Sequence, residues 1–140
     1  MYELHRIFCA LPAEMQEERI EFYAAVGDFN ESDGMRRGIL FVPVAASSTL
    51  RAMAPGDVRE NIRACRYYIE VLAPGAADPG SDSQLGYNFA LKCCEDSSLP
   101  MREVVVLTKA DFGDLTEFRS RVRAFLSRWL AAIGTKSATA

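Results

Sequence analysis

The chain has 140 residues, of which 49% are hydrophobic and 25% charged, with a formal net charge of -3. This composition indicates one ordinary globular domain with a core of its own and argues against a disordered or a membrane protein. The acidic balance argues against nucleic acid as a partner, and no apolar run reaches the roughly 20 residues that a membrane span needs. We therefore expect a cytoplasmic protein that binds neither nucleic acid nor membrane.

Four apolar runs predict β-strands: Leu4 to Ala10, Ile39 to Val44, Arg66 to Leu72 and Glu103 to Leu107. Their continuous apolarity is typical of parallel strands that are covered on both faces. With a helix after each strand, right-handed crossovers give an α/β three-layer sandwich around a short parallel sheet. The expected strand order is 2-1-3-4, the flavodoxin-like arrangement, in a single domain over residues 1–133 with a flexible tail at 134–140.

The helices are predicted from their apolar stripes and their start signals. The first runs from about Pro12 to Val26 and buries Met15, Phe22, Tyr23 and Val26. The second opens at Asp57 and the last at Asp114, each with a glutamate at capping-box spacing. The third runs from Gln84 to about Glu95. The acidic side chains on the first helix are expected to face solvent: Glu14, Glu17, Glu18 and Glu21. Four arginines on the last helix are expected to face solvent or a partner: Arg119, Arg121, Arg123 and Arg128.

The four cysteines and the single histidine do not predict a metal site. Cys9 and Cys65 are isolated, and Cys93 and Cys94 are adjacent, whereas structural zinc sites use spaced pairs. We therefore expect free thiols and neither metal nor cofactor. Cys9 and His5 lie on one predicted strand about 13 Å apart, which argues against a Cys–His nucleophile pair.

The candidate ligand site follows from the predicted sheet. Open parallel sheets bind ligands beyond the carboxyl ends of their strands, near the point where the strand order reverses. The candidate ligand-binding residues at that edge are Cys9, Ser47, Ser48, Asp82, Ser83 and Thr108. No dinucleotide, Walker A, esterase or metalloprotease motif accompanies them. The Gly- and Pro-rich loop from Ala73 to Ser83 is expected to be mobile and to lie over the ligand.

Glu70 is unusual because it lies in the middle of an apolar strand. Strand alternation places it on the same face as Tyr68 and Leu72, two residues before the ligand-binding edge. A buried carboxylate needs a cation or hydrogen-bond donors, or it becomes protonated. Two explanations remain open: a structural ion pair with Arg6 on the first strand, which we favour, and an acid in a catalytic or binding site.

Two segments resemble the Toll/interleukin-receptor-like (TIR-like) domains of the bacterial type, which share their layout with the nucleoside deoxyribosyltransferases. "HRIFCALPAEMQEER" is similar to their first strand and acidic helix, and "NIRACRYYIEVLAP" to their helix-then-strand pattern. The resemblance implies a signalling or interaction domain that self-associates or binds a protein partner and that senses a nucleotide. It implies, as alternatives, a plain nucleotide sensor or an enzyme that cleaves the N-glycosidic bond of NAD or nucleosides.

The resemblance also implies a catalytic glutamate on the helix after the third strand. The segment "SQLGYNFALKCCED" contains no acid before Glu95, and Tyr87 or Asn88 lies nearer the implied position. Asn88 is therefore a further ligand-binding candidate and Glu70 the candidate catalytic residue. Because neither Tyr87 nor Asn88 replaces a carboxylate, the interaction domain is favoured over the enzyme.

Overall fold

The computed structural model describes residues 1–47, 55–73, 85–108 and 111–139. In these residues strands and helices alternate along the chain: β1 (Glu3–Leu11), α1 (Gln16–Phe29), β2 (Ile39–Ser47), α2 (Pro55–Ala64), β3 (Tyr67–Leu72), α3 (Leu85–Glu95), β4 (Glu103–Thr108) and α4 (Leu115–Thr139). The strands form a parallel sheet in the order β2-β1-β3-β4. The predicted α/β fold and strand order are confirmed.

The sheet has a core on each face because side chains alternate along its strands. On one face Ile7, Cys9 and Ile69 pack with the buried stripes of α1 and α4. On the other face Phe8 and Tyr68 pack with α2 and α3. These are the three layers of the predicted sandwich.

Burial differs between the central and the outer strands. Ile7 on β1 and Ile69 on β3 are fully buried, whereas Val42 on β2 and Val105 on β4 are half-buried. The difference follows from the strand order, since β2 and β4 are the edges of the sheet.

The first helix begins later than the sequence predicts. Residues after β1 form a turn in which the Met15 N–H donates to the Pro12 carbonyl at 3.0 Å, and α1 starts at Gln16. Of the predicted stripe, Met15, Phe22 and Val26 are buried, but Tyr23 is 39% exposed. The Tyr23 side chain instead reaches the sheet edge, where its hydroxyl accepts a hydrogen bond of 2.9 Å from the Ala45 N–H.

The last helix confirms its predicted cap and extends further than expected. Asp114 accepts a hydrogen bond of 2.8 Å from the Glu117 N–H, and the Glu117 carboxylate accepts one of 3.0 Å from the Gly113 N–H. Helix α4 continues to Thr139, through most of the segment expected to be a tail. The flexibility of that segment stays a prediction.

The sequence predicted that the arginines of α4 face solvent or a partner, but Arg119 and Arg123 form ion pairs within the chain. Arg119 contacts the carboxylates of Glu21 and Asp28 on α1, and Arg123 lies 3.7 Å from Asp33 in the turn that follows. These exposed ion pairs join the two helices that cover one face of the sheet, each with a small energetic contribution.

None of the described helices combines the length and the apolarity that are needed to cross a lipid bilayer.

Candidate functional site

The candidate site lies on the α2/α3 face of the sheet, near the carboxyl ends of its strands. The register places Ala46 of β2, Ala10 of β1, Glu70 of β3 and Val106 of β4 in one row across the sheet. On the side of Glu70 that faces the switch point between β1 and β3, both neighbours in the row are therefore alanines. Ala10 is buried and Ala46 half-buried, and both pack in the core cluster on the α2/α3 face.

Glu70 is buried, with 1% of its surface exposed, and among the described residues only one of its two carboxyl oxygens has a hydrogen-bond partner. The Tyr68 hydroxyl donates a hydrogen bond of 2.8 Å to Oε1. Oε2 is buried and has no hydrogen-bond partner within the described parts of the chain. Burial raises the pKa of Glu70 from 4.5 to about 7, and the hydrogen bond from Tyr68 lowers it only in part.

Tyr68 is held in place from two sides. Its ring stacks on Phe8, with the ring centroids 5.5 Å apart and the planes 2° from parallel. Its hydroxyl lies against the first turn of α3, where a Cβ atom on Gly86 would be only 2.9 Å away. Burial, together with the neighbouring Glu70, raises the pKa of Tyr68 well above 10, so the hydroxyl stays protonated and donates.

The expected ion pair between Glu70 and Arg6 is wrong. Arg6 is exposed, and its backbone carbonyl accepts a hydrogen bond from the N–H of Arg66, the residue before β3. Glu70 is level with Ala10, four residues further along β1, which corresponds to about 13 Å of strand. The strand pattern gave the correct face for Glu70, but the partner requires the register, which the sequence does not encode locally.

The other predicted site residues are not all brought to Glu70. Cys9 is buried in the α1/α4 core on the opposite face of the sheet, and burial raises the pKa of its thiol. Ser47 ends β2 at the expected edge, but the position of its side chain is not described. Thr108 ends β4, and its hydroxyl and N–H both donate to Asp111, at 3.0 and 2.7 Å. Ser48, Asp82 and Ser83 lie outside the described residues, as does most of the loop expected to be mobile.

Asn88 lies on α3, two residues after Gly86. A separation of two residues is about 200° around a helix, so Asn88 is on the side away from the Tyr68 hydroxyl. Its contribution to ligand binding stays a prediction.

Sequence reasoning missed Tyr68 and Gly86 as parts of the site. The alternation in "YYIEVL" places Tyr68 beside Glu70 on one face, and a tyrosine two residues from a buried acid is a signal for a hydrogen bond along the strand. The close approach of Gly86 depends on how α3 packs on β3, for which the sequence carries no local signal.

The remaining titratable groups do not suggest a metal centre. Among the described residues, no group of three or more His, Cys, Asp or Glu side chains is placed to hold a metal ion. All four cysteines are free thiols, and Cys9, Cys65 and Cys93 are buried.

Comparison with known proteins leaves the site to be interpreted from its own chemistry. No protein-family model, curated protein or solved structure matches the chain.

The chemistry of the Tyr68–Glu70 pair is that of a weak acid close to neutral pH. Since Oε1 already accepts a hydrogen bond, the proton of the neutral acid resides on Oε2 and forms a donor without an acceptor in the described part of the chain. Buried polar groups are normally paired, and an unpaired one calls for an explanation such as an absent ligand or water. A ligand atom that accepts a hydrogen bond would complete this carboxyl group.

Proposed function

We propose that the chain is a TIR-like interaction domain that senses a nucleotide or nucleoside, with Glu70 as the acid that contacts the ligand. The observation that carries the proposal is the buried Oε2 of Glu70, unpaired in the described residues, at the ligand-binding edge of a flavodoxin-like sheet. The TIR-like resemblance of the first strand and of the segment before β3 supports the ligand class. The free cysteines and the balanced composition suit a cytoplasmic location.

The protonated state of Glu70 favours a neutral group of the ligand over a phosphate. A carboxyl group with a pKa of about 7 can donate a hydrogen bond to a base or sugar oxygen or nitrogen near neutral pH. When ionised it would repel a phosphate. Ala10 and Ala46 lie in the same row of the sheet as Glu70 and carry the smallest side chains on that face.

Calorimetric titration with nucleosides, nucleotides and NAD tests the proposal. We expect binding that is weakened at least tenfold by Glu70→Ala, and also by Ala46→Leu, which enlarges a half-buried side chain in the same row of the sheet. The matched control Glu14→Gln, at an exposed glutamate outside the sheet, should bind as the wild type does. Wild-type protein that binds none of these compounds at millimolar concentration would overturn nucleotide sensing.

A second candidate function is cleavage of an N-glycosidic bond. It is favoured by the pKa of about 7 at Glu70, because a general acid or base works best when its pKa is close to the operating pH. It is disfavoured by the absence of an acidic residue on α3 before Glu95, where the resemblance implies the catalytic carboxylate. Release of nicotinamide from NAD, or of the base from a nucleoside, by wild type and not by Glu70→Gln would establish the enzyme in place of the sensor.

A further inference from the structure

The two edges of the sheet are built differently. On β2 the Asn30 side chain pairs with both backbone groups of Phe41. Asn30 Nδ2 donates to the Phe41 carbonyl, and the Phe41 N–H donates to Asn30 Oδ1, each at 2.9 Å. Two residues on, Pro43 has no N–H to offer, and two residues further the Ala45 N–H donates to the Tyr23 hydroxyl. The outer edge of β2 is therefore closed to any additional strand.

The β4 edge has no such protection in the described residues. No side chain among them bonds to the backbone of residues 103–107, and the first such bond is the one from the Thr108 N–H to Asp111. Three consecutive valines, Val104 to Val106, are half-buried, without a proline or lysine among them. Edges of this kind, apolar and extended, are templates for pairing with another strand.

We propose that β4 is a self-association edge that pairs antiparallel with β4 of a second copy of this chain. The flanking charges select this partner and this direction. Arg102 is exposed just before β4, and its guanidinium also donates to the neutral carbonyls of Leu99 and Met101. Asp111 lies three residues after the strand, where its carboxylate accepts from the Thr108 N–H and hydroxyl and keeps its charge. Antiparallel pairing brings each Arg102 to the end of the partner strand that carries Asp111, so two opposite-charge contacts form. Parallel pairing would place Arg102 beside Arg102.

The one acid within β4 does not oppose this pairing. Glu103 accepts a hydrogen bond of 2.9 Å from Trp129 Nε1 and contacts the Arg128 guanidinium, so its charge is already compensated within the chain. A two-fold antiparallel pair also stops at two copies, because each copy uses the one sheet edge that is unprotected among the described residues. The product is a dimer with one continuous sheet.

This inference deepens the interaction-domain part of the proposed function and rests on it, but it is independent of nucleotide binding. It names the partner as a second copy and the surface as β4.

Sedimentation of the full chain over a concentration series, with cysteine cross-linking, tests the interface. In a Cys94→Ser background, Val104→Cys, Val105→Cys and Val106→Cys should be compared under oxidising conditions. We expect a disulfide-linked dimer from at least one of them, because an antiparallel pair brings equivalent residues together at its two-fold axis. The control Val44→Cys, half-buried on the closed β2 edge, should stay unlinked.

A charge reversal gives a second readout that does not depend on oxidation. Arg102→Glu turns both predicted contacts with Asp111 into repulsions, and we expect the dimer affinity to fall about fivefold or more. Arg19→Glu, an exposed arginine on α1, is the matched control and should dimerise as the wild type does.

Two results contradict the inference in different ways, and a third separates it from nucleotide sensing. A dimer that forms equally well with Arg102→Glu and never cross-links through β4 uses another surface, which leaves self-association intact and overturns the β4 assignment. A wild-type chain that stays monomeric at high concentration overturns both. Nucleotide binding by such a monomer would show that sensing survives without self-association.

Discussion

The Tyr68 hydroxyl donates a hydrogen bond of 2.8 Å to Glu70 Oε1, and Oε2 of the same buried carboxyl group has no partner in the described residues. The two residues are neighbours on one face of β3, where Tyr68 is level with Phe8 of β1 and Glu70 is level with Ala10. This pair replaces the expected ion pair as the structural explanation for an acid in an apolar strand. Burial, which raises the pKa of Glu70 from 4.5 to about 7, makes it a carboxyl group that can exchange a proton near neutral pH.

The position of Tyr68 depends on the absence of a side chain at Gly86. In Gly86→Ala the new Cβ would lie 2.9 Å from the Tyr68 hydroxyl, so the ring must shift and its bond to Glu70 weakens. We expect the free energy of unfolding to fall by about 1–3 kcal/mol, despite the better helix propensity of alanine. Urea unfolding measures this change.

The contact predicts a specific non-additivity. Tyr68→Phe removes the hydroxyl that the new methyl group would strike, so Gly86→Ala should cost less in the Tyr68→Phe background than in the wild type. Equal costs in both backgrounds would show that Gly86 is required for another reason.

Arg6 and Glu70 should behave as independent residues. Glu70 on β3 is level with Ala10, which is four residues from Arg6 along β1. The effects of Arg6→Met and Glu70→Gln on the unfolding free energy should therefore add to within about 0.5 kcal/mol in the double mutant. A double-mutant cycle by chemical denaturation checks this. Recovery of either single loss in the double mutant would restore the ion pair that the structure rejects.

His5, the single histidine of the chain, should stay neutral in the folded protein. Burial lowers its pKa below 6.5, and the Arg66 guanidinium lowers it further. Arg66 Nη1 lies 2.6 Å from His5 Nδ1, and since a guanidinium can only donate, Nδ1 must accept and the proton is on Nε2. Nitrogen-15 NMR should therefore show the Nε2–H tautomer at pH 7.

The same contact fixes the sign of a pH effect. Because the folded pKa of His5 is depressed, its stabilising contribution is present above pH 6.5 and is lost as the pH falls through the folded value. Arg66→Met should raise the pKa of His5 in an NMR titration. An unchanged pKa would mean that Arg66 does not act on the imidazole.

The fold could be predicted from the sequence because the apolar runs, the caps and the alternation all specify the same elements. The Asp114–Glu117 spacing predicted a cap that the structure contains, and the run before Pro74 predicted a fully buried β3. Contacts that depend on strand register and on helix packing could not be predicted from the sequence. Arg6 was assigned to Glu70 because both are on neighbouring strands, although the register separates them, and Asn30 showed no local sign that it would bond to Phe41 eleven residues away.

The pH dependence of stability in Glu70→Gln tests the central claim most directly. The folded pKa of Glu70 is raised from 4.5 to about 7, so its stabilising contribution is complete below pH 4.5 and is lost as the pH rises through 7. Glutamine keeps an acceptor for Tyr68 but cannot ionise. The difference in unfolding free energy between Glu70→Gln and wild type should therefore move by about 3 kcal/mol in favour of the mutant between pH 4.5 and pH 8. A mutant that is destabilised by the same amount at both pH values would contradict this assignment and identify Glu70 as an ionised partner in a structural contact.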